Sequence, residues 1–334
     1  MKTILYAFLI SLFMIFSCKD DSSDKINKEP LCEIITPVIN EEILHGSILN
    51  VEVNVDDDNL ANVTFFINEV EIGVDDSYPY TMQWLTEDKV PGEYNLKVRA
   101  IDEEGLLSVD ELNFELSHIG VSIEDIDGNT YGTVVIGAQK WMRENLKVTT
   151  YNTGDPINIV EPWNYWLSNS NGAYCWYEND KETYGELYGA IYNHIAVRND
   201  DLCPDGWHIP SEEEWKELEI FLGVNADEAN LYFFHGINEG SKLAGSSDLW
   251  FEGDLTRDNE FGVTDFNAIP AGMRTKGGEF INMEYQTYYW SSSIGDVDNG
   301  YYRNIRFNNP QIYRYHISKN TGFSVRCMKN FDVK

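Results

Sequence analysis

Leu49, Val51, Val53 and Val55 alternate with Asn50, Glu52 and Asn54. The same period of two recurs at Val63, Phe65 and Ile67, at Tyr94, Leu96, Val98 and Ala100, and at Leu112, Phe114 and Leu116. Such alternation puts one face of each strand into a core and the other in water. The runs are separated by the turn-prone Asp56-Asp57-Asp58-Asn59, Val90-Pro91-Gly92 and Asp102-Glu103-Glu104-Gly105. Short strands at regular spacing predict an all-β sandwich over residues 31–117.

After a short junction at 118–122 the pattern changes. The chain becomes rich in Gly, Trp and Tyr, with many short elements and one clear helix. Ser211 and Glu214 form a capping box, Glu212, Glu213 and Glu214 suit the positive end of the helix dipole, and Gly223 ends the helix. Trp215, Leu218 and Leu222 share its apolar face. At the other end of the chain, Met1-Lys2 precedes a run from Ile4 to Phe16 that only Ser11 interrupts. That run is too short to cross a bilayer of about 30 Å. With its basic start and the small Ser17, it predicts a signal peptide over 1–17. Residues 19–30 are polar, charged and free of aromatics, which predicts a flexible tether over 18–30.

Ile15-Phe16-Ser17-Cys18 resembles a bacterial lipobox. The resemblance implies that Cys18 is lipidated and that the outer membrane, reached through the lipid, is one partner. The acidic residues after Cys18 resemble the export signal that sends Bacteroidetes-type lipoproteins to the cell surface; a plain solvated spacer is the other reading. The phrases NVTFFINEVEIG (62–73), SYPYTMQW (77–84) and PGEYNLKVRAIDEEG (91–105) resemble a bacterial immunoglobulin-like domain, which implies a stalk or spacer over 31–117. Eight further phrases occur in order: DIDGNTY (125–131), IGAQKWMRENL (136–146), GAYCWY (172–177), YGELY (184–188), CPDGWHIPS (203–211), PAGMR (270–274), YWSSS (289–293) and GFSVRC (322–327). Together they resemble the Fibrobacter succinogenes major paralogous domain, over residues 121–330. That resemblance implies an α+β, C-type-lectin-like fold related to the sulfatase-modifying enzymes. It also matches Cys203 and Cys327 to the pair that staples the ends of a lectin-like domain; two buried free thiols remain the alternative. Cys32 and Cys175 are expected to be buried and free, with an intermolecular bond open to Cys32.

The formal net charge of −32 repels nucleic acid, which excludes that class of partner. The six histidines show no H-x-x-H or H-E-x-x-H spacing, and there is no G-x-S-x-G, no C-x-x-C and no phosphate-binding glycine loop. His208 reads as a structural hydrogen-bonder. Asp125-x-Asp127-Gly128-Asn129 and Asp296-x-Asp298-Asn299-Gly300 look like starts of calcium loops. The twelfth position is Ile136 or Phe307 where a Glu is needed. No cofactor is expected; the turn reading is preferred for the first, and calcium at Asp296 and Asp298 stays open. Most aromatics are assigned to the core. A binding face is placed on 290–306, with Trp290, Tyr301 and Tyr302 to stack, Asp296, Asp298 and Asn299 to take hydroxyls or a cation, and Arg303 and Asn304 as donors; the competing reading is a surface hairpin with core aromatics. The function expected is a cell-surface, outer-membrane lipoprotein that is not an enzyme and binds a glycan or a surface protein. The alternatives are an enzyme of the sulfatase-modifying kind and a purely structural envelope protein.

Overall fold

The computed structural model describes residues 27–39 and 41–330. The signal peptide, Cys18 and most of the expected tether lie outside the described residues.

The first unit contains β1 (Leu31–Thr36), β2 (Ile43–His45), β3 (Ile48–Asp56), β4 (Leu60–Ile67), β5 (Val70–Asp75), β6 (Tyr80–Leu85), β7 (Gly92–Asp102) and β8 (Leu107–Glu124). One sheet has the order β1-β3-β6; β5-β4-β7-β8 belong to the other. Between them lie Leu49, Val51, Val53, Val63, Phe65, Ile67, Leu96, Val98, Ala100, Phe114 and Leu116. Most residues between them on the strands are partly or fully exposed, as the period-two reading expects; Thr64, between Val63 and Phe65, is buried on the other face of its sheet. Val55, Tyr94 and Leu112 are only partly buried.

Residues 118–122 are not a loop. β8 continues through them and pairs with β9 (Thr130–Ile136), Ile119 opposite Val134 and Gly120 opposite Thr133. β2 pairs with β8 from the other side, His45 opposite Gly120. A side chain at position 120 would have its Cβ 2.4 Å from Thr133 Oγ1, so the crossing point requires glycine. One sheet therefore runs from the sandwich into the second unit, continuing through β10 (Gln139–Met142).

The remaining elements are β11 (Asn158–Ile159), α1 (Trp163–Leu167), β12 (Ala173–Cys175), α2 (Lys181–Tyr188), β13 (Ile191–Asn193), α3 (His194–Val197), β14 (Trp207–His208), α4 (Glu212–Leu222), β15 (Phe233–His235), α5 (Glu239–Leu243), β16 (Ala271–Arg274), β17 (Phe280–Met283), β18 (Gln286–Asp296), β19 (Asn299–Arg306), β20 (Asn309–Ser318), β21 (Gly322–Phe323) and β22 (Met328–Lys329). β22 returns between β10 and β14, which closes the unit. Cys203 and Cys327 form a disulfide inside the core. Cys32 and Cys175 are free, as expected, but only Cys175 is fully buried; Cys32 is half-buried. Burial pushes their thiols up to about 11 and about 12, away from the reactive thiolate.

The expected helix is α4. Ser211 caps it, Ser211 and Glu214 complete the capping box, and Gly223 ends it with φ 125°. His208 braces the cap: Nε2 lies 2.8 Å from Glu214 Oε1 and Nδ1 reaches Asn330. The sheet β15-β20-β19-β18 is packed on both faces. Tyr288, Trp290 and Tyr302 enter one apolar cluster, and Tyr289, Ile305 and Ile312 the other.

Candidate functional site at the end of the β18–β19 hairpin

That double packing decides the fate of the 290–306 stretch. Trp290 is fully buried, its indole Nε1 donating to Tyr192 O at 2.8 Å. Tyr302 packs against Phe323. Arg303 is buried and pairs with Glu219 and, at 2.6 Å, with Glu212. Asn304 donates to Thr287 O at 2.8 Å. These four cannot touch a ligand, which corrects the expectation for them. Alternation exposes half a strand only where one face of the sheet is wet, and here neither is.

The tip of the hairpin is different. Asp296, Asp298 and Asn299 reach solvent, and Asp296 and Asn299 line a cleft of about 400 Å³. Its other lining residues include His194, Arg198 and Lys319, with the exposed Ile294 and Val297. Asp296 Oδ1 accepts from Asp298 N at 3.0 Å and Oδ2 from Asn299 Nδ2 at 2.7 Å. Lys319 Nζ holds Asp298 at 3.1 Å. The two carboxylates therefore serve the turn and a lysine. Asp125 is also tied into a turn: its Oδ1 accepts from the amides of Asp127 and Asn129, and its Oδ2 from Tyr131 OH at 2.6 Å. Among the described residues no three His, Cys, Asp or Glu side chains gather into a metal-holding group.

His194 forms the floor of the cleft. Its Nε2 donates to Ser291 O at 2.9 Å, and burial holds its pKa down at about 4. Neutral at ordinary pH, it braces the hairpin. A Cβ at Gly300 would lie 2.2 Å from this ring, so the hairpin can approach only with glycine there.

Beside the tip lies a cluster of rings of which the sequence reading named only Tyr301. Tyr301 on β19 stacks on Tyr232 with centroids 6.4 Å apart, and their hydroxyls meet at 3.1 Å. Tyr232 also meets Tyr315 and His316, and Phe233 stacks on Tyr315 at 5.2 Å. His316 Nδ1 lies 3.9 Å from Asp296 Oδ2, which joins the rings to the cleft. Tyr232 and Phe233 are 42% and 55% exposed, the largest openings in the cluster. For the other rings the signal in the sequence was the two aromatic phrases YFFH (232–235) and YRYH (313–316), about 80 residues apart.

Under the rings sits a buried ionic network. Arg314 donates to Glu212 at 2.6 Å and to Asn230 O at 2.9 Å, and its guanidinium lies 5.0 and 4.8 Å from the ring centres of Tyr232 and Tyr301. Glu219, held ionised by Arg303 and by a 2.9 Å bond from His235, completes the network. Glu212 and Glu219 share the buried face of α4 with Trp215 and Leu222. A glutamate in an apolar stripe was the legible sign of a buried pair.

The profile of the Fibrobacter succinogenes major domain matches residues 134–329, more than half of the chain. The chain belongs to this family. A bacterial Ig domain profile matches residues 30–98, on the sandwich. Nothing matches among curated proteins. Among solved structures, fibronectin(III)-like modules of Clostridium thermocellum CbhA are 21% identical, covering 27% of this chain and 47% of that one, with a TM-score of 0.25. This chain thus spans about half the length of that match. The Yersinia pseudotuberculosis adhesin InvE is 10% identical, covering 90% of this chain and 70% of that one, with a TM-score of 0.22. Within the major domain, the family phrases fall on structural parts. Arg326 of GFSVRC donates to the carbonyls of Met142, Phe266 and Asn267, and Arg274 of PAGMR donates to those of Val160 and Glu161.

Proposed function

We propose that this protein is a cell-surface binding module, not an enzyme, in which an immunoglobulin-like stalk carries a C-type-lectin-like major domain outward from the outer membrane. The pair of domains suggests a surface-type, adhesion-like module. The observation that carries the binding reading is the hairpin tip, where an open polar cleft and half-exposed rings meet on a rigid, doubly packed sheet. Cys327 is spent in a disulfide and Cys175 is buried, which supports binding over the paired-cysteine chemistry of sulfatase-modifying enzymes. The closed ends of the major domain and its capped helix support the lectin-like fold. Ligands on this reading are glycans or surface proteins.

The test is a glycan array and a surface-protein capture with the full chain, beside Asp296→Ala combined with Asp298→Ala. Binding that this pair weakens supports the cleft. Turnover of a captured molecule, or no ligand in either format, overturns the reading. For the anchor, Cys18→Ala should abolish incorporation of labelled fatty acid; lipid that survives the substitution overturns that part.

A further inference from the structure

We infer that the rings of Tyr232, Phe233, Tyr301 and Tyr315 form a stacking platform for a neutral polysaccharide; this rests on the binding reading above and assigns its ligand class. The first argument is backbone strain. Phe233 has φ 71°, in the left-handed region, which a bulky aromatic residue almost never adopts. The strain secures no core packing, because Phe233 is 55% exposed. In register it stands opposite Arg314, whose side chain points to the buried network. The left-handed turn instead lays the Phe233 ring on Tyr315, with planes 18° apart. A residue that costs stability and holds an aromatic ring in water is best explained by what the ring meets there.

The second argument is preorganisation. Tyr232 and Tyr301 are nearly coplanar in direction, 15° apart, and are fixed by their shared hydroxyl contact and by Arg314 beneath them. Arg314 is itself held by Glu212. Rings that are already ordered lose little freedom on binding. The third argument selects the occupant. A pyranose ring offers an apolar C–H face to an aromatic ring and hydroxyls to its rim, and this surface supplies rings with polar tips: three tyrosine hydroxyls and the His316 imidazole. The set is too small for a stable protein interface, which uses about 20–30 residues a side. The net charge of −32, with Arg314 already neutralised by Glu212 and Asp296 adjacent, disfavours an acidic polysaccharide.

The experiment is affinity electrophoresis of the full chain in gels containing soluble β-glucan, xylan, mannan or, as the acidic comparison, polygalacturonate. Retardation is expected with at least one neutral polymer and not with polygalacturonate. Tyr232→Ala and Tyr315→Ala should each weaken it about fivefold or more, and Tyr232→Phe far less. Phe233→Gly is the decisive variant: glycine suits a positive φ, so the melting temperature should hold or rise while retardation falls. The platform is overturned if the neutral polymers bind and these substitutions change nothing, or if only Asp296→Ala with Asp298→Ala matters; the binding reading then survives at the cleft. Capture of a surface protein with no retardation by any neutral polymer also overturns the platform and keeps the binding reading. Retardation by polygalacturonate alone overturns the assignment of ligand class.

Discussion

In the sandwich, Val51, Val63, Phe65, Leu96 and Val98 meet one another across two sheets, and aliphatic and aromatic side chains make the interior. In the major domain, Arg274, Arg303 and Arg326 are as fully buried as Trp141 and Trp290. Their guanidinium groups bind carbonyls and carboxylates of segments far apart in sequence. The sandwich obtains its order from long ladders, ten residue pairs between β7 and β8 alone. The major domain has strands as short as two residues and irregular connections between them. Connections of that kind leave carbonyls that no ladder satisfies, and a planar group with five donors can answer several at once. The two regions show two routes to a packed interior: regular backbone with apolar filling, and irregular backbone with buried arginine and a covalent staple.

The largest expected effect of breaking this contrast is at the staple. Cys203 and Cys327 close a separation of 124 residues, worth about 4–5 kcal/mol in the loop-entropy account. Replacing both with serine should collapse hydrogen-exchange protection throughout 134–329 and leave the amides of β4 and β7 protected. Equal loss in both regions would show that the continuous β8 makes the chain one cooperative unit.

Next comes the buried ionic network. Arg303→Met takes one cation from between two buried carboxylates, leaving Glu212 only Arg314 and Glu219 only His235, and should cost about 3–5 kcal/mol. Adding Glu219→Gln should recover part of that, because the cost lies in the stranded charge. In the sandwich, Leu96→Ala should cost about 2–5 kcal/mol with no partner substitution able to restore it. Chemical denaturation of the Arg303–Glu219 double-mutant cycle and of Leu96→Ala checks the difference; additivity at Arg303 and Glu219 would remove the argument for charge as the organising force.

The same contrast explains what could be read from the sequence. Leu49, Val51 and Val53 announced their strand because one face of it is wet. Trp290 and Tyr302 misled for the opposite reason: with both faces of β18–β19 packed, neither alternate set marks the surface. The capped helix was plain in Ser211 and Glu214, since a cap is a local device. The Cys203–Cys327 pairing came from resemblance to a family, and spacing alone did not dictate it. Of the ring cluster only Tyr301 was named, and its partners were hidden twice over. β15 and β20 are joined across about 80 residues, and the turn of Phe233 onto Tyr315 depends on a backbone conformation no pattern of phenylalanine predicts.

A third test uses pH. His194 is buried with its pKa lowered from 6.5 to about 4, so the unfolded chain takes up a proton before the folded one does. Stability from this group is complete above pH 6.5 and is lost as pH falls toward 4, by up to about 3 kcal/mol. His194→Gln should flatten that part of the pH profile in the major domain. An unchanged slope in calorimetric scans between pH 7 and 4 would place the sensitivity elsewhere.

The smallest effect is expected where the two regions touch through charge. Lys329 pairs with Glu87 across the boundary, and both side chains are partly exposed, at 35% and 55%. An exposed pair of this kind is worth at most about 1 kcal/mol and is screened by salt. The boundary is already fixed by β8, which carries hydrogen bonds to β7 on the sandwich side and to β9 on the other, with Gly120 letting β2 and β9 close on it. Glu87→Ala should therefore leave the melting temperature within a degree or two at physiological salt. It should also leave the angle between the halves unchanged in small-angle scattering. A change of shape in that variant, absent at high salt, would make the ion pair rather than the shared strand the joint between sandwich and major domain.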